Sequence, residues 1–360
     1  MTISAAQKTK FVNFLLDWNR RINDRPMPWK GEKDPYRIWL SEIILQQTRV
    51  EQGLDYYNRF LKTYPNIHSL AAAEDNQAFK LWEGLGYYSR CRNLLHTARY
   101  ISSECNGEFP KTFEEIVKLK GVGPYTAAAI ASFAFNLPHA VVDGNVYRIL
   151  ARAFGVSTAM DTTNGKKEFT SLANEILPKT EPGVYNQAIM DFGATVCKPS
   201  PECSACGFRE NCVAFRNDQI DQLPVKTKKV SIKKRWFYYM VMEHEGNIAI
   251  RQRVGKDIWN QLFEYPMIEA SQELQEQDVI ALAKDKGFLT QEYFNSMGIS
   301  LVHKQQLSHQ LIHGRFLRII LKKKPKNSND WKWIPATGLK EYAFPKIITT
   351  YHSESQTSNP

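Results

Sequence analysis

The chain has 360 residues, 43% of them hydrophobic, which is ample for real cores in two to three domains. Its formal net charge is +10 and its pI is near 9.1, a balance that suits a polyanionic partner without demanding one. The opening MTISAAQKTK holds no apolar run and no later stretch is long enough to cross a bilayer, so the expectation is a chain neither exported nor inserted, working in a reducing cytoplasm without disulfides.

The first two-thirds predict helix after helix. Phe11, Phe14, Leu15, Trp18 and Ile22 recur at helical spacing, as do Val50, Leu54, Tyr57 and Leu61. Between them runs Pro35 to Val50 (PYRIWLSEIILQQTRV), where Ile38, Glu42 and Leu45 fall at i, i+4 and i+7 and set a carboxyl group on an apolar face. Burying such a charge unpaired is costly. Glu42 therefore either pairs with a basic neighbour, caps a turn, or serves as a general acid whose pKa an apolar pocket raises.

Next comes a glycine hairpin, Leu119 to Ala127 (LKGVGPYTA). Gly121, Val122 and Gly123 allow a tight turn with exposed amides ahead of an alanine-rich buried helix, Ala127 to Phe135, and a phosphate would fit there. Taken alone the motif reads as a plain helix C-cap and turn, and its weight comes from its neighbours. In Val141 to Arg148 (VVDGNVYR), Asp143 precedes a helical run and reads as its N-cap; amides feeding that carboxylate are expected to lower its pKa and keep it ionised. Two carboxyl groups pushed in opposite directions describe glycosidic bond chemistry.

Cys197, Cys203, Cys206 and Cys212 lie within sixteen residues, after a long helix-forming stretch. They predict a bound metal centre, and by spacing alone tetrahedral zinc suits four thiolates as well as an iron-sulfur cluster does. Cys91 and Cys105 read as ordinary thiols. Beyond Cys212 the texture changes. Val225 to Arg235 (VKTKKVSIKKR) carries six basic residues and no acid, as a linker near phosphates or a solvated tether would. Trp236 to Met242 and Asn247 to Arg253 are strand-like runs joined through Glu245-Gly246, a helix is expected over Leu274 to Lys286, and further strands around Leu301 and over Phe316 to Leu321. These make an α+β second domain, and Ser353 to Pro360 look disordered.

Several of these segments, in this order, resemble the MutY family, the adenine glycosylases among the iron-sulfur, helix-hairpin-helix DNA glycosylases. The matching pieces are MPWK (Met27 to Lys30), WLSEIILQQTRV, LWEGLGYYSRCRNL (Leu81 to Leu94), GVGPYTA, VVDGNVYR, YNQAIMDFGATVC (Tyr185 to Cys197) and the cysteine tetrad. The resemblance implies a mainly α catalytic region over residues 1–216, a six-helix barrel plus an iron-sulfur domain whose loop 197–212 holds a [4Fe-4S] cluster. It further implies a basic linker over 217–232, a C-terminal α+β Nudix-like lesion-recognition domain over 233–345, and a disordered tail over 346–360.

By the same resemblance the chain is a monofunctional glycosylase that acts, as a nucleoid-associated monomer, on double-stranded DNA carrying adenine opposite 8-oxoguanine or guanine. Glu42 protonates the base, Asp143 stabilises the cationic sugar, and Tyr125 supports both. Arg25, Trp29, Leu45 and Gln187 line the pocket for the flipped adenine, Gln47 and Tyr87 enter the base stack near the lesion with Thr48 beside them, and Ser308 with His309 reads it. The chain departs from the family pattern in having five residues between the first two cysteines (Lys198 to Glu202), and in Lys30, Lys120 and Leu307. Gly255 to Glu269 lacks the downstream carboxylates that bind metal in Nudix hydrolases, so that domain is expected to recognise and not hydrolyse. A bifunctional enzyme resembling endonuclease III would need a lysine where Tyr125 stands. A noncatalytic DNA-binding module would leave Glu42 unexplained.

Overall fold

The computed structural model describes residues 3–27, 29–227, 232–289, 294–325, 328 and 330–357, with no side chain described at 297 or 355–357. The middle of the expected basic linker, residues 228–231, lies outside them, as does Pro28 of the MPWK segment. The chain packs as two compact units, one of Met1–Ala72 with Asn93–Lys229, the other of Ala73–Arg92 with Val230–Pro360.

The helices run α1 (Ala5–Arg21), α2 (Pro35–Leu45), α3 (Val50–Thr63), α4 (Ile67–Ala71), α5 (Asp75–Trp82), α6 (Ser89–Glu104), α7 (Phe113–Ile116), α8 (Pro124–Phe135), α9 (Gly144–Phe154), α10 (Thr163–Ile176), α11 (Pro182–Thr195) and α12 (Val213–Arg216). Within the first unit α2 packs against α3 and α8, and α11 against α1, α8 and α9. The core joins α1, α9, α10 and α11 through Phe11, Leu15, Phe154, Phe169 and Phe192. Phe208, from the cysteine loop, enters that core edge-on to Phe11 at 5.2 Å, which anchors the loop to α1. Gly155 ends α9 in the left-handed region, and a Cβ there would meet Val213 at 2.5 Å, so only glycine fits.

α2 departs from the amphipathic expectation. Every residue from Ile38 to Ile44 is buried, because α3 covers one side of it and α8 another. Asp34 starts it by accepting the Tyr36 amide, with Pro35 at the first helical position.

The second unit is built on a sheet of β1 (Lys233–His244), β2 (Asn247–Gln252), β3 (Phe263–Glu264), β4 (Met267–Ala270), β5 (Phe294–Ile299), β6 (His303–Gln306), β7 (Gln310–Leu321) and β8 (Lys332–Pro335). β1 and β2 form the expected hairpin, with Glu245 and Gly246 both at positive φ, as a two-residue turn requires. β1 runs parallel to β7 at the centre. Its side chains alternate: Phe237, Tyr239 and Val241 join one core, and Tyr238, Met240 and Met242 the other. Helix α13 (Glu276–Asp285) covers the second face through Val279 and Ala283.

Helix α14 (Lys346–Thr357) covers the first face. The sequence had suggested a disordered tail from residue 346; instead Ile347, Ile348 and Tyr351 are buried, and Tyr351 stacks on Phe316 at 3.9 Å. Leu301 is likewise no strand residue: it is 87% exposed, between β5 and β6.

Candidate active site

In the first unit a cavity of about 470 Å³ gathers Arg25, Trp29, Glu42, Leu45, Gln47, Thr48, Tyr125, Asp143 and Gln187, residues singled out one by one from the sequence. Helix α2 and the turn after it supply Glu42 to Thr48, the start of α8 supplies Tyr125, Asp143 caps α9, and Gln187 projects from α11. A second cavity of about 210 Å³ shares the wall formed by Trp29, Glu42 and Gln187. Trp29 is held by an edge-on contact with Tyr57, 5.3 Å between rings.

Glu42 is 7% exposed. Burial pushes its carboxyl up to about 7, with the Asp143 charge adding to the push and a hydrogen bond from the Tyr125 hydroxyl opposing it. Tyr125 itself is driven well above the phenol range, first by burial and then by the two carboxylates.

Asp143 does cap α9: Oδ1 accepts the Val146 amide at 2.7 Å and Oδ2 the Asn145 side-chain amide at 2.9 Å. The expected lowering of its pKa does not follow. Burial raises it, and outweighs the Val146 and Asn145 amides and the Arg148 guanidinium that pull it down. Burial thus raises both carboxyl groups, Glu42 to about 7; amide and guanidinium partners oppose the rise at Asp143, and the Tyr125 hydroxyl alone opposes it at Glu42.

Behind Asp143 a polar chain leads away from the cavity. Asn145 Oδ1 accepts from Arg148, whose guanidinium also donates to the carbonyls of Gly193 and Cys197, each at 2.8 Å. Arg152, one turn on and 3% exposed, donates to the carbonyls of Lys198, Pro199, Ile220 and Leu223 and comes within 3.7 Å of Cys197 Sγ. Sequence reasoning passed over Arg148, Arg152, Asn145 and Asp191. The only signal was two arginines four apart on α9, which place two cations on one helix face.

Cys197, Cys203, Cys206 and Cys212 line one further cavity together with Phe11, Arg152 and Phe208, and all four thiols are free. Among the described residues no three metal-binding side chains are gathered tightly enough to hold a single ion. Four free thiols around one shared space are a donor set that either a tetrahedral ion or an iron-sulfur centre could take.

The hairpin forms as expected. Gly121 sits at φ 82°, where a Cβ would meet Asn93 at 2.6 Å; Val122 is buried; and Gly123 precedes Pro124 with no side chain capping the start of α8. Gln47 and Tyr87, the two residues expected to enter the base stack, both hold positive φ, 57° and 47°. Such conformations in non-glycine residues concentrate at functional sites.

In the second unit Ser308 and His309 are exposed on the turn between β6 and β7, and the Ser308 hydroxyl hydrogen-bonds that of Tyr87. The carboxylates between Gly255 and Glu269 are all engaged by arginines: Asp257 by Arg235 and Arg253, Glu264 by Arg251 and Arg253, Glu269 by Arg235, at 2.5 to 2.9 Å. Their charge is already matched, and no cation-binding set of acids is left among them.

Residues 40–179 match the HhH-GPD superfamily of base excision DNA repair proteins, and residues 237–354 match the NUDIX domain. The chain is 32% identical over 326 residues to an adenine DNA glycosylase of Buchnera aphidicola subsp. Baizongia pistaciae, covering 90% of each chain. It is 40% identical over 228 residues to the adenine DNA glycosylase of Mus musculus, covering 61% of this chain and 44% of that one. Among solved structures, a thermostable thymine-DNA glycosylase aligns with 59% of this chain and 98% of its own at TM-score 0.55 and 28% identity. Endonuclease III in a non-covalent complex with DNA aligns with 61% and 99% at TM-score 0.53 and 21% identity, a likeness of fold alone.

Proposed function

We propose, for a chain that belongs to the adenine DNA glycosylase family of base excision repair enzymes, that the adenine it removes stands opposite 8-oxoguanine or guanine in duplex DNA and that Glu42 and Asp143 break the glycosidic bond. The observation that carries this reading is a buried acid held near neutrality beside a second carboxyl group in one cavity.

The target base cannot be reached within the stack, so the nucleotide turns out of the duplex and the adenine enters the cavity against Trp29 and Leu45. Glu42, protonated below about pH 7, delivers its proton to N7, and the C1′–N9 bond electrons pass into the base as it leaves. The Asp143 carboxylate faces the positive charge that develops on the sugar, and Tyr125 holds the Glu42 carboxyl in place. Water adds to C1′ and returns a proton to Glu42. Tyr125 stands at the start of α8, where a bifunctional enzyme would need its lysine nucleophile, which supports a hydrolytic enzyme over a lyase. In this reading the protein works as a monomer on nucleoid DNA in the cytoplasm.

Lesion reading falls to Ser308 and His309 in the second unit. Oxidation turns guanine N7 from an acceptor into a donor, which a serine oxygen can accept and guanine cannot offer. Single-turnover rates on adenine opposite 8-oxoguanine, guanine and thymine test the substrate assignment, with 8-oxoguanine expected fastest and thymine slowest. The Ser308→Ala/His309→Ala double variant should narrow the preference for 8-oxoguanine over guanine by roughly ten- to hundredfold, the worth of one base-edge contact. An unchanged preference would move lesion reading elsewhere.

The four cysteines would hold a [4Fe-4S] cluster, which when bound would fix the loop 197–212 against α9 and α1. Purified protein should be brown and contain about four iron atoms per chain, the content of that cluster. Cys203→Ser should lose iron and duplex affinity together. Colourless protein with one equivalent of zinc would refute the cluster.

A further inference from the structure

The geometry points to Asp191 as the residue that makes the pocket choose a 6-amino purine over a 6-oxo purine, by holding the Gln187 amide with its carbonyl oxygen toward the cavity. The inference rests on the placing of adenine proposed above.

Asp191 lies one turn after Gln187 on α11, and its side chain is fully buried. Its Oδ1 accepts Gln187 Nε2 and Arg25 NH1, each at 2.9 Å. Its Oδ2 accepts Asn23 Nδ2 at 2.9 Å and stands 3.5 Å from Lys30 Nζ. A carboxylate set against two cations accepts hydrogen bonds and donates none. The Gln187 side chain must therefore turn its nitrogen to Asp191; that nitrogen's other contact is Met27 Sδ at 3.9 Å. Among the described residues no donor reaches Gln187 Oε1, which is left as an acceptor on the wall shared with Glu42.

Adenine carries its N6 amino group beside N7, the atom that Glu42 protonates. An acceptor at that place pairs with N6–H. It faces the lone pairs of O6 in guanine or hypoxanthine, and a base edge mismatched in this way loses roughly ten- to hundredfold. Asp191 touches no substrate; it acts through Gln187 and is a positioning residue.

The test compares single-turnover release of adenine and of hypoxanthine, each opposite 8-oxoguanine in the same duplex, by wild-type protein and Asp191→Asn. The asparagine can donate to Gln187 Oε1, so the amide is free to turn over. The adenine-to-hypoxanthine rate ratio should fall about tenfold or more, and in a Gln187→Ala background the same change should leave the ratio where it was. If Asp191→Asn does not fold, Gln187→Glu carries the test: a protonated glutamic acid can still donate to Asp191 and present its carbonyl, so the ratio should persist, and its loss would overturn the inference. Adenine release that persists in Asp191→Asn with an unchanged ratio overturns the positioning role alone. Wild-type protein that releases no adenine overturns the placing of the base as well.

Discussion

Glu42→Gln should lower single-turnover adenine release by at least ~10²-fold, the usual worth of a general acid, while duplex binding persists. Glutamine keeps the size of the side chain and can still accept from Tyr125, so only the deliverable proton is lost. The pH profile should carry the same signature. With the Glu42 carboxyl raised to about 7, its acid form is lost above that pH, so the wild-type rate should fall as pH rises through 7, and it should fall again on the acid side where Asp143, itself raised by burial, takes up a proton.

Stability should move the other way. A carboxyl bound more tightly to its proton in the folded state weakens the fold as pH rises from its unfolded value toward 7. Glu42→Gln removes that penalty, on the order of 3 kcal/mol above pH 7 and nothing below about pH 4. A variant with near-normal turnover, or one that melts lower than wild type at pH 8, would remove Glu42 from this role.

Asp143→Asn separates a helix cap from a catalytic charge. Asparagine caps helices about as well as aspartate, so the Val146 amide keeps its acceptor and the melting temperature should stay within a degree or two. The negative charge facing the sugar is gone, and removing a preorganised group of this kind lowers the rate by about 10² to 10³. Asp143→Ala should lose both, with a further ~1 kcal/mol of stability from the missing cap. Equal melting losses in the two variants, with little change in rate for asparagine, would leave Asp143 a cap only.

How far the sequence reveals such a site depends on whether the chemistry is local. Glu42 was visible because an acid among Ile38, Leu45 and their neighbours breaks an apolar pattern, and Asp143 because an aspartate ahead of a helical run has one structural meaning. The hairpin glycines and the cysteine tetrad are local motifs as well. What failed to show was set by pairing over long distances. The direction of the Asp143 shift is decided by how deeply the rest of the fold buries it, which its amide partners do not reveal.

Asp191 looked like one more polar position on α11, since its partners Arg25 and Asn23 come from more than 160 residues earlier. α14 read as tail because Ile347, Ile348 and Tyr351 form too short a stripe to stand alone, and they are ordered by the sheet face they cover. Tyr87 was picked out with the catalytic region by motif, whereas its segment, Ala73–Arg92, packs with the second unit.

The most direct measurement is product analysis of a duplex carrying adenine opposite 8-oxoguanine after a single turnover, with borohydride present in a parallel sample. Hydrolysis by Glu42 and Asp143 yields free adenine and an abasic strand with an uncut backbone, and nothing is trapped on the protein. A covalent protein–DNA adduct with strand cleavage, or an intact adenine strand, would contradict it.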